Sequence, residues 1–236
     1  EGFHPIGHHP NSLGHFQGEY DGGGHNIDNL YINRPNSEGV GMFGFTGNSS
    51  VIKNLSLTNV YVMGKTGVGG LVGFMGHTCT ISNCSVIGSV NGNTSNNGNT
   101  KIGGLVGSQV GTASIENSFS AGSVHGARRA GGISGSGGYI TNSYTRSSVT
   151  TTYADAGGLV GLAGVSNSIH MSYSTGFVSG QGYTQGGISS NNNWTAGCIM
   201  FYDIETTGQC GCCRAGGGCS SGCGACDSFG RTTAEL

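Results

Sequence analysis

The chain has 236 residues, of which 8% are charged, and a formal net charge of −2, so no basic stripe exists to neutralise phosphates and nucleic acid is not an expected partner. Periodically placed hydrophobic residues (35%) exclude disorder, and 49 glycines without a Gly-X-Y period exclude collagen. No run of about 18 apolar residues could cross a membrane.

Residues 1–30 read as an N-terminal cap. Pro5, Pro10 and the glycines break any helix there, and 27–32 is the first clean strand. No charged-then-apolar leader begins the chain, so Glu1 reads as a mature terminus or as the edge of a piece cut from a longer chain. His4, His8, His9, His15 and His25 crowd this segment. Neutral imidazoles can hold metal, but without a fixed ligand spacing these read as cap histidines.

From 27 to 205 two phrases recur. Gly-Gly-Leu-Val-Gly stands at 69–73, 103–107 and 157–161, with looser copies at 40–44, 131–135 and 186–190. Its second glycine falls at 41, 70, 104, 132, 158 and 187, in steps of 29, 34, 28, 26 and 29. An Ile-x-Asn phrase keeps the same time at Ile27, Ile52, Ile81, Ile115 and Ile140, continuing as Ile169-His-Met171, with Ile199 as a faint seventh copy. Self-similarity at such a period signals a solenoid. Short β-branched runs between Gly/Asn/Ser/Thr turns supply the strands, and no stretch keeps helical spacing. Stacked coil on coil, each strand pairs with its copy about 4.8 Å away.

Sharp corners call for positive φ, which Gly takes freely and Asn tolerates. With Ile inward and a corner at Asn, the third and fifth positions after Ile also point inward: Leu55/Leu57, Cys84/Val86, Ser118/Ser120, Ser143/Thr145 and Ser172/Ser174. Between them Tyr31, Phe119, Tyr144 and Tyr173 form an outward aromatic ladder, and the asparagines an amide ladder. The opposite phase, with the rings inside, buries more apolar area and stays open.

The last segment, 206–236, departs from this rhythm. Cys210, Cys212, Cys213, Cys219, Cys223 and Cys226 lie among glycines with almost nothing apolar, so crosslinks, metal or a partner must hold them. Cys223 and Cys226 have the C-x-x-C spacing of zinc or redox sites. Nine cysteines in so polar a chain point to an oxidising compartment, so disulfides are preferred over a six-cysteine metal site, and the odd count leaves one thiol over. Cys198 is a further disulfide candidate. Cys79 and Cys84 either pair across the corner near Ile81, or Cys84 fills a core slot. Asn48, Asn93 and Asn193 are glycosylation candidates in turns, whereas Asn54 and Asn83 belong to corners.

Gly-Gly-Leu-Val-Gly, followed by Ile-x-Asn-Ser-Tyr-Ser and Gly-x-Val-x-Gly, resembles the GLUG repeat, most closely at 115–126 and 169–180. The resemblance implies a secreted or surface-attached β-solenoid. It is of the kind found in bacterial adhesins, filamentous-haemagglutinin-like exoproteins and, as a non-catalytic part, some immunoglobulin-A peptidases. Ser147 and Thr151 depart from it where glycines are expected, as does the insert at 209–227.

Catalytic residues are not assigned, nor is a cofactor. His-Glu-x-x-His is absent, and the Ser within 131–135 belongs to a solenoid phrase. The acids are scattered, with only Glu19/Asp21 and Asp203/Glu205 close together. The expected architecture is all-β, a right-handed parallel β-helix of about six coils with a Cys/Gly-rich C-terminal loop. The expected function is a non-enzymatic extracellular structural or adhesive module that self-associates, in a filament or fibre, or meets other surface proteins. The alternatives are polysaccharide binding or processing, and metal binding through the cysteines.

Overall fold

The structure, a computed structural model, describes residues 1–7, 14–94, 99–164, 168–181, 184–191, 195–196, 200–203 and 228–231. Among them there is no α-helix, and every pairing between strands is parallel. The chain winds as a β-solenoid of about five turns. One sheet stacks Phe43–Phe45, Val72–Met75, Val106–Gln109, Ser134–Ser136 and Val160–Leu162; the other holds the rest of each coil. The sixth glycine phrase adds only a bridge to the five-stranded sheet, Ser189 on Val160.

Register fixes which residues are copies of one another. Ile52, Ile81, Ile115, Ile140 and Ile169 lie on successive rungs and are fully buried. Two sequence assignments shift. The first rung of this column is Tyr20, because Ile27 pairs with Leu57. The last is Ala196, paired with Ile169, and Ile199 lies outside the described residues. The N-terminal shift arises at Gly22–Gly24, where a register break displaces the strand.

The corner residues Asn54, Asn83, Asn117, Asn142 and Met171 all have left-handed backbone, with φ of 44–55°. The amide ladder is short: Asn83 donates to Asn54 at 3.2 Å and Asn54 to Asp21 at 3.0 Å. The phrase glycines are there for another reason than the one expected. None of Gly69, Gly103, Gly131 or Gly157 has positive φ. A Cβ on Gly103 would lie 2.0 Å from the Val106 carbonyl oxygen, and one on Gly157 1.9 Å from that of Val160. A Cβ on Gly104 would meet the Gly132 oxygen of the next coil at 2.1 Å and the Ser120 side chain across the core at 2.8 Å. The glycines are set by close approach of backbone, not by a turn.

The third and fifth positions after Ile point inward, and the residue between them points out. Phe119, Tyr144 and Tyr173 are half-buried and stack with centroids 4.9 and 5.0 Å apart. Tyr31 belongs to a different stack, on Tyr61 at 5.3 Å, because its strand pairs beyond the Asn59 corner. The buried polar residues of the later coils are bonded to the corners. Ser143 donates to the Thr141 carbonyl at 2.8 Å and accepts the Ser118 N–H at 3.1 Å. Ser118 does the same for Glu116 and Cys84, and Ser172 for His170 and Ser143. Each hydroxyl satisfies a backbone N–H that the corner turns away from the sheet ladder, and adds a second bond to a carbonyl that already accepts a corner N–H: Thr141 accepts that of Asn117 at 3.1 Å and His170 that of Asn142 at 3.2 Å.

Cys84 stands in this serine column. Its Sγ lies 3.3 Å from the Ser82 carbonyl oxygen, in the place of a serine hydroxyl. That is why the bridge to Cys79 does not form: both are free thiols, and Cys84 takes the core slot.

Residues 228–231 lie parallel on 200–203, with Met200 opposite Ser228, one repeat period further on. Cys198 and the six cysteines of 210–226 lie outside the described residues.

Replacing Ser143 with Ala leaves the buried Ser118 N–H without its acceptor, while the Thr141 carbonyl keeps the Asn117 N–H, and is expected to cost about 1–3 kcal/mol. Cys84→Ser places a hydroxyl where the thiol already meets the Ser82 carbonyl and should change stability by less than about 1 kcal/mol. Urea denaturation of the two variants tests the difference; equal losses would remove the corner role assigned to this column.

Candidate functional site

The outer face of the five-stranded sheet carries two adjacent columns. One holds Phe45, Phe74, Ser108, Ser136 and Leu162 on successive rungs. The other, at the corner that precedes each strand, holds Gly39, Gly67, Lys101, Arg129 and Asp155, each one residue before a paired position. On the first two rungs a ring lies flat on a glycine: a Cβ on Gly39 would come within 2.1 Å of Phe45, and one on Gly67 within 2.2 Å of Phe74. His15, Phe45 and Phe74 form one stack, with centroids 5.2 and 5.1 Å apart.

The third rung exchanges both partners at once. Ser108 replaces the ring, Lys101 replaces the glycine, and the Lys101 ammonium donates to Ser108 Oγ at 3.3 Å. The fourth rung repeats the exchange with Arg129 and Ser136, and the Arg129 guanidinium donates to Asn99 Oδ1. Burial, and then the charge of Arg129, push the Lys101 ammonium below the usual lysine range.

Beside the ring column runs a groove parallel to the solenoid axis. Its N-terminal part, about 490 Å³, is lined by His15, Gln17, Phe45, Asn48, Phe74 and His77, among others. The next part, about 270 Å³, is lined by Gln109, Gly111, Ser136 and Leu162, among others. Val110 borders both and is 42% exposed. It stands on the rung above Gly76, so one branched side chain divides the groove. The two parts together follow five rungs, roughly 20 Å at strand spacing. No charged side chain lines either part. The groove offers donors and acceptors from amides, imidazoles and hydroxyls, and His15 Nε2 is buried without a hydrogen-bond partner.

Of the residues singled out in the sequence, His15 joins this groove while His4 and His25 do not; His8 and His9 lie outside the described residues. No cluster of three or more His, Cys, Asp or Glu able to hold a metal occurs among the described residues. Asn48 is exposed on the groove rim and accepts the His77 N–H at 3.1 Å. Asn93 is half-buried, donating to the Pro35 carbonyl at 3.3 Å, and Asn193 lies outside the described residues. Glu19 and Asp21 flank Lys53 at 2.6 and 3.6 Å in a surface ion cluster. Hydrogen bonds from Asn54 and Gly23 hold the Asp21 carboxyl below its ordinary range.

The groove and the cationic rungs were invisible to the phrase-by-phrase reading. Comparing the same slot on every rung would have exposed them, because glycine gives way to Lys101 and Arg129 seven residues before phenylalanine gives way to Ser108 and Ser136.

Residues 64–91 match the family model of the GLUG motif. Over 92 residues, 39% of this chain, the sequence is 37% identical to halomucin of Haloquadratum walsbyi, of which it covers 1%. Over 61 residues, 26% of this chain, it is 38% identical to a protein of Evansella cellulosilytica described as a candidate Gly-rich membrane protein, of which it covers 7%. The chain thus matches only a small part of the length of these relatives. In fold it is similar to the crystal structure of a candidate immunoglobulin A1 protease from Bacteroides ovatus. The TM-score is 0.64 at 23% identity, over 80% of this chain and 61% of that one, which is a likeness of fold.

Burial raises the thiols of Cys79 and Cys84 from 9.0 to about 11. Their contribution to stability is therefore whole below pH 9 and is lost as pH climbs from about 9 to about 11, where unfolded thiols ionise before folded ones. Iodoacetamide at pH 8 should leave both unmodified in the native protein and label both in urea; rapid native labelling at either position, read by peptide mass, would contradict this placement.

Proposed function

We propose that the chain is a non-enzymatic extracellular module with a structural and adhesive role, holding surface polymers along the outer face of its five-stranded sheet. The observation that carries this reading is the axial groove. Its walls are built from the same short stretch of each successive rung, the rungs are held by backbone pairing to their neighbours, and the resulting surface needs little ordering to meet an extended ligand. The GLUG motif and the likeness to a stretch of halomucin support an extracellular setting.

The lining argues for binding over turnover. Hydrolysis of a glycosidic bond in the usual way takes two carboxyl groups facing each other across the bond, and neither part of the groove is lined by Asp or Glu. It also argues against a peptide added as an extra strand, since the backbone under the groove is already paired within the sheet.

End-to-end stacking through the N-terminal end has less support than lateral contact. The first strand, Glu19–Asp28, carries Glu19, Asp21 and Asp28 and is interrupted by the register break at Gly22–Gly24. Charge and irregularity of this kind blunt an edge against further pairing. Gly2 also bridges to Ile32 in antiparallel sense over the next stretch.

Affinity electrophoresis through gels containing soluble polysaccharides, with a parallel assay for new reducing ends, tests the reading. Retardation by at least one polysaccharide without release of reducing ends is expected. Reducing ends appearing in proportion to protein would make it an enzyme; no retardation by any polysaccharide would remove the adhesive role at this face.

A further inference from the structure

We propose that Lys101 and Arg129 form a binding site for the sulfate or carboxylate groups of an acidic polysaccharide whose neutral sugar backbone lies in the adjoining groove. The inference rests on the adhesive reading above and names the ligand class of that face.

Four observations converge on it. Lys101 and Arg129 occupy consecutive rungs of one column, so two like charges are stacked at about one strand spacing. None of the four ion pairs among the described residues includes either of them; all four lie within residues 1–65. Asp155, on the next rung of the same column, is the nearest acid by register, yet it forms no ion pair with Arg129. The Lys101 ammonium is partly desolvated and, among the described residues, has Ser108 alone as its acceptor, an arrangement that an anion would complete.

The fourth observation is conformational. Arg129 has φ of 47°, in the left-handed region, where Gly39 and Gly67 stand on earlier rungs with φ of 66° and 61°. A long side chain is held where the fold itself prefers glycine, and such strain persists mostly where a side chain is needed. Arginine presents a planar fork suited to a sulfate or carboxylate, and lysine a point charge. The cations here are few, Lys101, Arg129 and the half-buried Arg128, on a chain of net charge −2, which suits a polymer with spaced anionic groups better than the dense phosphates of nucleic acid. The uncharged groove beside them, with Gln109 and Ser136 in its lining, suits the hydroxyls between those groups.

The fold supplies its own controls. Arg129→Gly restores the residue type of the earlier rungs and relieves the left-handed strain, so its Tm should equal or exceed that of the parent. The double variant Lys101→Gly with Ser108→Phe imports the Gly67/Phe74 pairing of the preceding rung; Lys101 is not left-handed, so this variant relieves no strain and its own Tm shows that it folds. Binding of the full chain to dextran sulfate and to polygalacturonate is measured against plain dextran at low salt and at about 0.15 M salt, where exposed charge pairs are screened beyond about 8 Å. The parent should prefer at least one acidic polymer over dextran by about tenfold or more, and each variant should lose about tenfold of that affinity. Plain dextran bound as tightly as both acidic polymers would overturn the anion site while leaving the adhesive reading intact. Folded variants that keep the full preference would also overturn it. Failure of the parent to bind any of the three polymers would overturn the site as well, and the polysaccharide panel above would then decide the fate of the broader reading.

Discussion

The structure depends on how closely one coil approaches the next at the glycine phrases. At Gly69, Gly103 and Gly131 the space that a Cβ would need is already held by carbonyl oxygens, one from the same coil and one from the coil that follows, and at Gly157 by the Val160 carbonyl and the Ser189 Cα. The fifth residues of the phrase, Gly107, Gly135 and Gly161, press in the same way on the coil before: a Cβ on Gly107 would lie 2.4 Å from the Val68 nitrogen, and one on Gly135 2.3 Å from that of Ile102. Each phrase therefore touches both neighbours with backbone alone. Leu71, Leu105, Ile133, Leu159 and Ile188, all fully buried, then project from this tight seam into the core as one apolar column.

This seam explains what could be read in the sequence. Gly-Gly-Leu-Val-Gly recurs because no other side chain fits, so its spacing reports the coil directly, and the inward column after each Ile follows once Asn is placed at the corner. The slips come where the chain uses two corners. Ile27-Asp-Asn29 looks like Ile52-Lys-Asn54, but Asn29 is the counterpart of Asn59, so the phrase sits one corner later and Tyr20 takes the isoleucine slot. Local identity could not separate these, since Asn adopts left-handed backbone at both corners. The reason given for the glycines failed on a related point: sequence shows that only Gly is tolerated, not whether φ or contact forbids the rest.

The candidate site was hidden because it lies on the outward side of the seam, where packing dictates nothing about residue type. The five outward slots hold Phe45, Phe74, Ser108, Ser136 and Leu162 with no common character, and the corner slots beside them run from glycine through cations to Asp155. The two columns still vary together. A ring needs a glycine to lie on, and Lys101 reaches Ser108 where the ring is missing. The rungs are thus interchangeable pairs on a fixed frame, and a solenoid can change the chemistry of one rung without disturbing the interior of the next.

The interior is not uniform along the axis, and that bears on where the frame yields first. The two inward slots after Ile hold Leu55 and Leu57 on an early coil, but Ser172 and Ser174 on a late one. Burying a leucine is worth about 1.5–3 kcal/mol, whereas a hydroxyl bonded to backbone returns about 0.5–1.5 kcal/mol. Even with its corner bonds satisfied, a serine coil contributes less than a leucine coil. Thr151, Ser174 and Ser190 in the later coils also bury oxygens that have no hydrogen-bond partner among the described residues. In a stack whose stability is a sum over neighbouring rungs, local opening should therefore run from the C-terminal coils inward, away from the aromatic end of the groove. The stack at His15, Phe45 and Phe74 rests on the rungs with the larger core side chains, and the Lys101 and Arg129 rungs lie at the transition from the apolar to the hydroxyl-rich core. Rigidity of the binding face and weakness of the distal coils are then two consequences of one gradient in side-chain size.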